Sequence, residues 1–221
     1  MPERPKICAV IVSEDFTVPP DALPLVDLFE VRIDLIGAAW KEAIKKLNHP
    51  WLATNRTPVE GGRGEADEEE RVSRLLEAIE LGASMVDIEL STRRLKKVVL
   101  EIKQKASCLI SFHDIVGTPP YPRLADIVAR QIDAGADICK VVTTATGFED
   151  NLTMLRLIKA FPQTKIVALT MGPLGMLSRI LSPLAGAYFT YASFSRGKES
   201  APGQMTVAEL REIYRTVGAE K

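Results

Sequence analysis

Short runs rich in β-branched residues alternate with longer amphipathic segments along the whole chain, and this alternation limits the fold more than any other feature of the sequence. Runs with the length and composition of strands occur about eight times, at 6–12, 28–35, 51–55, 85–90, 108–113, 137–143, 165–171 and 187–193. Each run, with the helix-like stretch that follows it, takes up roughly 25–30 residues. Such a repeated unit predicts a parallel sheet covered by helices.

Helix signals fill the intervals between these runs. The stretch 67–82 has acidic residues in its first turn, and the stretch 91–106 begins at Ser91 or Thr92 as a predicted N-cap. The stretch 206–219 opens with a threonine and, three residues later, a glutamate, which is a capping-box pattern. We therefore expect helices in all three stretches.

No linker, low-complexity block or charge run divides the 221 residues into two parts. About eight β-α units in a chain of this length predict an α/β fold with one domain, a (β/α)8 TIM barrel that spans residues 1–221. An open, doubly wound parallel sheet is the structural alternative, because it is built from the same units.

The charge balance and the cysteines narrow the class of partner and the compartment. The 28 Lys and Arg against 29 Asp and Glu give a net charge of −1, so there is no electrostatic reason to expect nucleic acid or an anionic membrane. We expect a small molecule, or a second copy of the chain in a homodimer, as the partner. Cys8, Cys108 and Cys139 lie inside apolar runs, and no export signal is evident, which predicts a protein of the reducing cytoplasm.

Polar residues within the predicted strands share one parity, the one that faces the interior of a barrel. Strand by strand, they are Glu30, Arg32 and Asp34, then Thr54 and Arg56, Asp87 and Glu89, Ser111 and His113, and finally Lys140. Buried charges are costly unless they are paired, so both signs on one face predict a mutually satisfied network around a polar ligand. Such a network is expected at the C-terminal ends of barrel strands, where active sites of this fold lie.

Several of these positions also have a structural explanation. The motif EVRID (30–34) is compatible with the exposed face of an edge strand, although flanking helical segments argue against one. Asp87 and Glu89 are compatible with scaffold charges that pair with arginines, and Lys140 with a strand-end lysine that extends to solvent. His49, which precedes a proline in a predicted loop, is interpreted as structural.

Lys140 and His113 lie on adjacent predicted strands and together indicate imine chemistry. The apolar neighbours of Lys140 favour its neutral amine, which is the form that attacks a carbonyl to give a Schiff base. A Schiff base acidifies the adjacent carbon, and a histidine can remove a proton from that carbon near neutral pH. Asp114 follows His113 directly but points to the other face of the strand.

Six motifs occur in one order along the chain: EVRID (30–34), TNRTPVEGG (54–62), SFHD (111–114), ADICKV (136–141), MGPLGMLSR (171–179) and SAPGQ (200–204). In order and spacing they resemble the type I 3-dehydroquinate dehydratases, the Schiff-base-forming enzymes of the shikimate pathway. Each motif is weak alone, whereas six together are highly specific. The resemblance implies a (β/α)8 barrel that removes water from 3-dehydroquinate to give 3-dehydroshikimate, with no metal or organic cofactor.

The resemblance also implies roles for individual residues. Lys140 matches the lysine that forms the imine, and Glu60 matches the carboxylate that orients the catalytic histidine. His113 matches that histidine, which takes the proton from the carbon beside the imine and then protonates the departing hydroxyl. The remaining matches are substrate contacts: Glu30, Arg32 and Arg56 at ring hydroxyls, Met171 at the substrate, Arg179 at its carboxylate, and Ser200 and Gln204 in a loop that closes over the site.

Two positions depart from the family pattern. Val10 stands where some relatives have a serine, and Leu169 stands where several have a methionine, so one hydroxyl contact and one contact beside the imine are expected to differ.

Two other functions stay open. One is a Schiff-base aldolase with a phosphate site at the glycine-rich segment 170–175, against which the acidic segment 65–70 argues; the other is a non-catalytic barrel that binds a metabolite.

Overall fold

Eight strands in the described residues position the site. The computed structural model describes residues 4–18, 22–65 and 67–220. Its strands are β1 (Ile7–Ile11), β2 (Leu28–Arg32), β3 (Trp51–Thr54), β4 (Met85–Glu89), β5 (Ser107–His113), β6 (Ile138–Thr144), β7 (Ile166–Met171) and β8 (Thr190–Ala192). All eight predicted strands are therefore present, most of them within two residues of the predicted ends.

The strands make one parallel sheet in the order β7-β6-β5-β4-β3-β2-β1-β8. The two outer strands come together, because the backbone N–H of Tyr188 donates to the carbonyl of Ile166 at 2.7 Å. Side chains of both strands also share one interior cluster, with Leu169 from β7 beside Phe189 and Tyr191 from the other edge. The sheet thus curls into a (β/α)8 barrel, which confirms the predicted fold, and the open doubly wound alternative is wrong.

Eight α-helices accompany the strands in the described part of the chain. They are α1 (Ile33–Ile36), α2 (Trp40–Ile44), α3 (Glu68–Glu80), α4 (Leu95–Ile102), α5 (Tyr121–Asp133), α6 (Glu149–Ala160), α7 (Met176–Ala185) and α8 (Val207–Thr216). The capping box at the start of α8 is confirmed, since Thr206 and Glu209 exchange hydrogen bonds. None of the described helices has both the length and the apolar composition needed to cross a membrane.

Three local predictions are wrong. The second strand ends at Arg32 and not at residue 35, because Ile33–Ile36 turn into a short helix. The stretch 91–106 is helical only over Leu95–Ile102, and its N-cap is Arg94 in the left-handed conformation (φ 53°). Thr92 does not cap this helix, because its hydroxyl accepts a hydrogen bond from a buried arginine elsewhere.

Side chains inside the barrel change from apolar at the base to polar at the mouth. The basal cluster consists of Cys8, Leu52, Met85, Leu109, Ile138, Val167 and Phe189. Above this cluster, β2 to β6 place charged or hydroxyl side chains inside, whereas β7, β8 and β1 place Leu169, Tyr191 and Val10 there. The mouth of the barrel therefore has a polar wall on one side and an apolar wall on the other.

Candidate active site

A cavity of about 340 Å³ opens at the C-terminal ends of the strands. Its volume lies in the range of small-molecule sites. Its lining includes all ten residues that the sequence predicts for the site: Lys140, His113, Glu60, Glu30, Arg32, Arg56, Met171, Arg179, Ser200 and Gln204. Residues from four strands, two loops and helix α7 thus converge on one space, although they lie up to 174 positions apart in the sequence.

Lys140 projects from the middle of β6 into the cavity and is only 4% exposed. Its Nζ donates to Asp87 Oδ2 at 2.9 Å and lies 3.6 Å from Glu30 Oε1. The apolar neighbours that suggested a neutral amine are its strand neighbours, Cys139 and Val141, which pack against helices outside the barrel. The amine itself faces two carboxylates, so its ammonium form is ion-paired before any substrate binds.

A buried ion-pair network surrounds Asp87 and Glu89 on β4. Arg56 Nη2 lies 2.6 Å from Asp87 Oδ2, and Arg56 Nη1 donates to Glu89 Oε1 at 2.8 Å and to Ser111 Oγ at 2.7 Å. Burial alone would raise the pKa of Asp87, but Arg56 and Lys140 outweigh it and hold that pKa well below its ordinary range. Both carboxylates therefore pair with arginine, as their structural explanation predicted, and Asp87 also faces the cavity lysine.

His113 ends β5 and is held by Glu60 from the loop after β3. Glu60 Oε2 lies 2.8 Å from His113 Nδ1 and also accepts the backbone N–H of His113 at 3.1 Å. An oxygen that accepts the backbone N–H is best placed to accept Nδ1–H as well, which leaves Nε2 with a free lone pair. The carboxylate thus fixes both the orientation and the tautomer of the ring.

Burial dominates the protonation of this histidine–carboxylate pair. Burial, followed by the positive charges of Arg56 and Lys140, lowers the pKa of His113 well below its ordinary value. Burial also raises the pKa of Glu60 to about 7, against the lowering effect of Arg56. A neutral imidazole is therefore the resting form, and a neutral imidazole can act as a base.

The loop that delivers Glu60 is fixed by its own backbone. Glu60 ends a short 3-10 helix, Pro58–Glu60, and the N–H of Gly64 donates back to the carbonyl of Arg56 at 2.8 Å. A Cβ at Gly62 would lie 2.1 Å from that same carbonyl oxygen, so only glycine allows the chain to pass here. The close approach at Gly62 of the TNRTPVEGG motif thereby determines the position of the Glu60 carboxylate.

Two further predicted site residues, Glu30 and Arg32, lie on the polar wall of the cavity. Thr54 Oγ1 donates to Glu30 Oε1 at 2.9 Å, which fixes the Glu30 carboxylate beside Lys140. Arg32 forms two hydrogen bonds with Asp34, of 2.8 and 2.7 Å. Asp34 makes this contact from the first turn of α1 and not from the strand, so its predicted strand parity is wrong although its pairing with Arg32 is real.

Arg179 differs from the other arginines of the cavity because no described carboxylate pairs with it. It lies in α7, is 2% exposed, and makes one long contact of 3.4 Å from Nη2 to the carbonyl of Pro202. Its Nε is buried without a hydrogen-bond partner among the described residues. Burial lowers its pKa to about 10, so the side chain remains a cation at neutral pH. A buried cation that lacks a counter-ion marks the place for an anionic ligand.

Ser200 and Gln204 belong to the loop between β8 and α8, and they bind each other. The Ser200 N–H donates to Gln204 Oε1 at 2.9 Å. The loop also touches the end of β7, where the Gly172 N–H donates to the carbonyl of Pro202 at 3.0 Å. Gly203 has φ +77°, and a Cβ there would lie 2.4 Å from the Gly172 carbonyl oxygen. Met171 precedes this junction and lines the cavity.

Sequence reasoning missed two residues near the site. Arg71 in α3 has the pattern of a helix-surface charge, but it is 4% exposed, pairs with Glu89 and donates to Thr92 Oγ1 at 3.2 Å. Tyr191 lies in the middle of β8 with its ring under Lys140. The inward parity of the eighth strand could have indicated Tyr191, whereas no local signal indicated Arg71.

His49, as predicted, lies away from the site, where its ring packs against Phe29 with centroids 5.8 Å apart.

The fold and the site together define a (β/α)8-barrel enzyme that acts on a small polar molecule. Residues 7–221 match the family model of type I 3-dehydroquinase. The chain is 44% identical to a 3-dehydroquinate dehydratase of Dehalococcoides mccartyi, over 99% of this chain and 98% of the relative. It is 39% identical to a 3-dehydroquinate dehydratase of Methanocaldococcus jannaschii, over 87% of this chain and 88% of the relative.

Solved structures agree with these sequence matches. The 3-dehydroquinate dehydratase of Geobacillus kaustophilus superposes with a TM-score of 0.82 at 28% identity, over 96% of this chain and 91% of that one. The type I 3-dehydroquinate dehydratase of Clostridium difficile superposes with a TM-score of 0.83 over 97% of this chain and 92% of that one; at 24% identity it supports the fold. The chain belongs to the type I 3-dehydroquinase family.

Proposed function

We propose that this enzyme is a hydro-lyase that converts 3-dehydroquinate to 3-dehydroshikimate through an imine on Lys140, as a step of the shikimate pathway toward chorismate and the aromatic amino acids. The relatives that match the whole chain are 3-dehydroquinate dehydratases. The observation that supports the mechanism most directly is the position of Lys140 and His113 in one cavity with Arg179, a cation that no described carboxylate pairs with. This arrangement provides a nucleophile, a base and an anchor for a carboxylate.

The first step of the proposed reaction forms the imine. Lys140 gives up a proton, its nitrogen attacks the ketone carbon, and the carbonyl oxygen leaves as water. The nitrogen of the protonated imine carries a positive charge and keeps one N–H. Asp87, which already accepts a hydrogen bond from Nζ at 2.9 Å, is placed to accept that remaining N–H.

The second step is the elimination, in which His113 acts twice. Its Nε2 takes a proton from the carbon beside the imine, and the electron pair moves toward the nitrogen to give an enamine. The enamine then expels the hydroxyl group, which receives the same proton from His113 and departs as water. Glu60 stabilises the imidazolium between these transfers, since its carboxylate contacts Nδ1. Hydrolysis of the imine releases the product and restores Lys140.

The remaining predicted residues hold the substrate. Arg179 binds the carboxylate, because its planar fork suits two parallel hydrogen bonds and no described carboxylate competes for it. Glu30, Arg32 and Arg56 surround the ring hydroxyls, with Met171 on the apolar side. Ser200 and Gln204 close the mouth, and exclusion of water protects the imine from early hydrolysis.

The backbone after β7 disfavours the alternative, an aldolase that acts on a sugar phosphate. A phosphate site needs free N–H groups, yet the N–H of Gly172 donates to Pro202 and the N–H of Gly175 donates to Gly172. A Cβ at Gly175 would also lie 2.6 Å from Thr170, so this glycine serves close packing. The glycine-rich segment is therefore explained by the fold itself.

The proposal includes two statements about the protein in the cell, a cytoplasmic location and a homodimer. Three buried free cysteines support a reducing compartment. Exposed apolar side chains on neighbouring helices, Phe148 and Leu152 at α6 and Leu174 and Met176 at the start of α7, support self-association. Light scattering with size-exclusion chromatography measures the mass, and a mass of one chain contradicts the dimer.

Borohydride trapping tests the proposed function. The protein is treated with sodium borohydride in the presence of 3-dehydroquinate, and intact mass and peptide mapping follow. We expect one reduced adduct on Lys140, its absence in Lys140→Met, and its persistence in Lys165→Met, which changes an exposed lysine just before β7. A protein that binds 3-dehydroquinate without gaining mass would falsify the imine mechanism.

His113→Ala separates imine formation from elimination. This variant is expected to form the borohydride adduct while turnover falls by roughly 10²- to 10⁴-fold, the range of general acid–base catalysis. Turnover at the rate of the unmodified enzyme would remove His113 from its assigned role. Loss of the adduct in this variant would instead place His113 in the first step.

A further inference from the structure

Tyr191 is the aromatic residue that lies against the cavity lysine. The Nζ of Lys140 lies 4.5 Å from the centroid of the Tyr191 ring, within the distance of a cation–π interaction. Tyr191 is 5% exposed and lines the cavity. Phe189 fixes its ring, because the two centroids lie 5.3 Å apart with the ring planes at 83°. The π face beneath Lys140 is therefore rigid and shielded from water.

The Tyr191 hydroxyl does not explain why a tyrosine stands here. It is buried and has no hydrogen-bond partner among the described residues, and a buried unsatisfied hydroxyl destabilises a protein. Burial, with Glu30 as the largest charged contributor, raises the pKa of the phenol well above its ordinary value, so the ring stays neutral. What the side chain offers Lys140 is the electron-rich face of the ring.

We propose that Tyr191 is a positioning residue for the reaction described above, in which the face of its ring holds the nitrogen of Lys140 in its positively charged form as ammonium and then as protonated imine. This inference rests on the proposed function, because the protonated imine arises only in that reaction.

The charge on the imine nitrogen decides whether the elimination proceeds. An ammonium group and a ketone combine to give a protonated imine and water, so the positive charge on nitrogen is the same before and after this step. Only the protonated imine draws the electron pair from the neighbouring C–H bond, and the enamine that results is neutral. A neutral imine lacks this pull. A group that favours the protonated imine therefore extends the reaction to higher pH.

Tyr191 shares this task with Asp87, and the two act from different sides. Asp87 accepts the N–H of the nitrogen along a hydrogen bond of 2.9 Å, whereas the ring of Tyr191 contacts the charge through its face at 4.5 Å. The ring adds no proton acceptor, so it favours the cation without competing for the proton. The charged or titratable groups that face Nζ or act on it are Cys8 on β1, Glu30 on β2, Asp87 on β4 and His113 on β5. Arg56, from the loop after β3, pairs with the same oxygen of Asp87 as Lys140 does.

The pH dependence of turnover tests this inference by comparing a variant that removes the ring of Tyr191 with one that keeps it. With saturating 3-dehydroquinate, the alkaline limb of kcat reports loss of the proton from the imine nitrogen. Tyr191→Leu is expected to move this limb to lower pH by roughly one unit, the size expected of a desolvated cation–π contact. Tyr191→Phe keeps the ring face and is expected to keep the limb where it is in the unmodified enzyme.

Incorporation of pentafluorophenylalanine at position 191 covers the case in which Tyr191→Leu does not fold. This residue keeps the ring shape but reverses the charge of its face, so we expect the limb to move at least as far as in the leucine variant. Tyr188→Leu is the matched control, because Tyr188 packs under Lys6 and Lys165 with centroid distances of 5.3 and 5.0 Å and does not line the cavity. This control is expected to leave the limb in place.

Raman spectra of the accumulated imine give an independent measurement. The C=N stretch of a protonated imine shifts in D₂O, so the shifted fraction at pH 8 measures protonation, and we expect it to be smaller in Tyr191→Leu. An alkaline limb and a D₂O shift that are the same in every Tyr191 variant would overturn the inference. If the unmodified enzyme forms no borohydride adduct, the proposed function itself fails.

Discussion

Arg179→Met is expected to separate ligand binding from stability, because the arginine it removes is buried and has no counter-ion among the residues that the structure describes. Burial lowers the pKa of Arg179 from the ordinary value of arginine to about 10, and at ~1.4 kcal/mol per pH unit this lowering corresponds to about 3 kcal/mol. The folded protein binds this proton less tightly than the unfolded chain does. The penalty is therefore present in full well below pH 10 and disappears as the pH rises through the lowered pKa toward the ordinary pKa of arginine.

Methionine retains most of the apolar stem of arginine, so little packing is lost. We expect the ligand-free variant to have a free energy of unfolding between that of the unmodified enzyme and a value about 3 kcal/mol higher. Substrate binding should suffer, because two charge-assisted hydrogen bonds to a carboxylate disappear at ~1.5–3 kcal/mol each, and KM should rise roughly 100-fold or more. Guanidinium denaturation and steady-state kinetics measure the two effects.

Arg211 in α8 provides the matched control. It is also fully buried, but its guanidinium contacts Asp27 Oδ2 at 2.7 Å, Glu220 Oε2 at 2.9 Å and the carbonyl of Leu25 at 2.6 Å. Arg211→Met removes these contacts from a buried network, although Asp27 keeps its contacts with Arg4 and the N–H of Ile7, and it should lower the free energy of unfolding by about 3 kcal/mol without a change in KM. If Arg179→Met is destabilised as much as Arg211→Met, or keeps its KM, the assignment of Arg179 as an unpaired anchor is wrong.

Two further predictions concern Glu60 and its loop. Because the pKa of Glu60 is about 7, protonation below that pH lets the acid donate to Nδ1 and leaves the proton on Nε2, so kcat/KM should fall on the acid side with a midpoint near 7. In Glu60→Gln the acid limb should move to lower pH, where His113 itself titrates, and a limb that stays near 7 would assign it to another group. Gly62→Ala places a Cβ 2.1 Å from the Arg56 carbonyl oxygen and should displace Glu60, with a loss of kcat on the order of 100-fold. Gly117→Ala, whose Cβ would meet only Thr146 at 3.7 Å, is the control, and equal kcat values in the two variants would refute the argument.

Periodicity explains why so much of the fold could be predicted from the sequence. Alternating strand-like and helix-like segments are local patterns, and the inward parity of Glu30, Asp87 and Lys140 follows from the two-residue repeat of a strand. For this reason most of the predicted interior residues line the same cavity, and Asp87, Glu89 and Ser111 bind Arg56 of that lining. The prediction was wrong at Asp34 and Thr92, where the chain leaves the regular element. Asp34 turns into α1 and pairs with nearby Arg32, and Thr92 accepts a tertiary hydrogen bond from Arg71.

The sequence does not indicate which residues pair with the buried charges. Arg71 in α3 has the local pattern of a surface residue and is buried only because β4 brings Glu89 to it. Likewise, the neighbours of Lys140 in the sequence are apolar, whereas its neighbours in space are Asp87 and Glu30. The strand neighbours of this lysine therefore do not describe its surroundings in the folded barrel, where Nζ lies beside two carboxylates.

By itself, the sequence determined which side chains face inward, because parity along a strand is set by covalent geometry and needs no knowledge of the neighbouring strands. Only the tertiary structure decided which of those side chains meet. It brought Glu60 to His113 across 53 positions, left Arg179 without a carboxylate from the described part of the chain, and placed the ring of Tyr191 under Lys140. The physical reason is that the strength of an electrostatic contact depends on distance and burial, and closure of the barrel sets both.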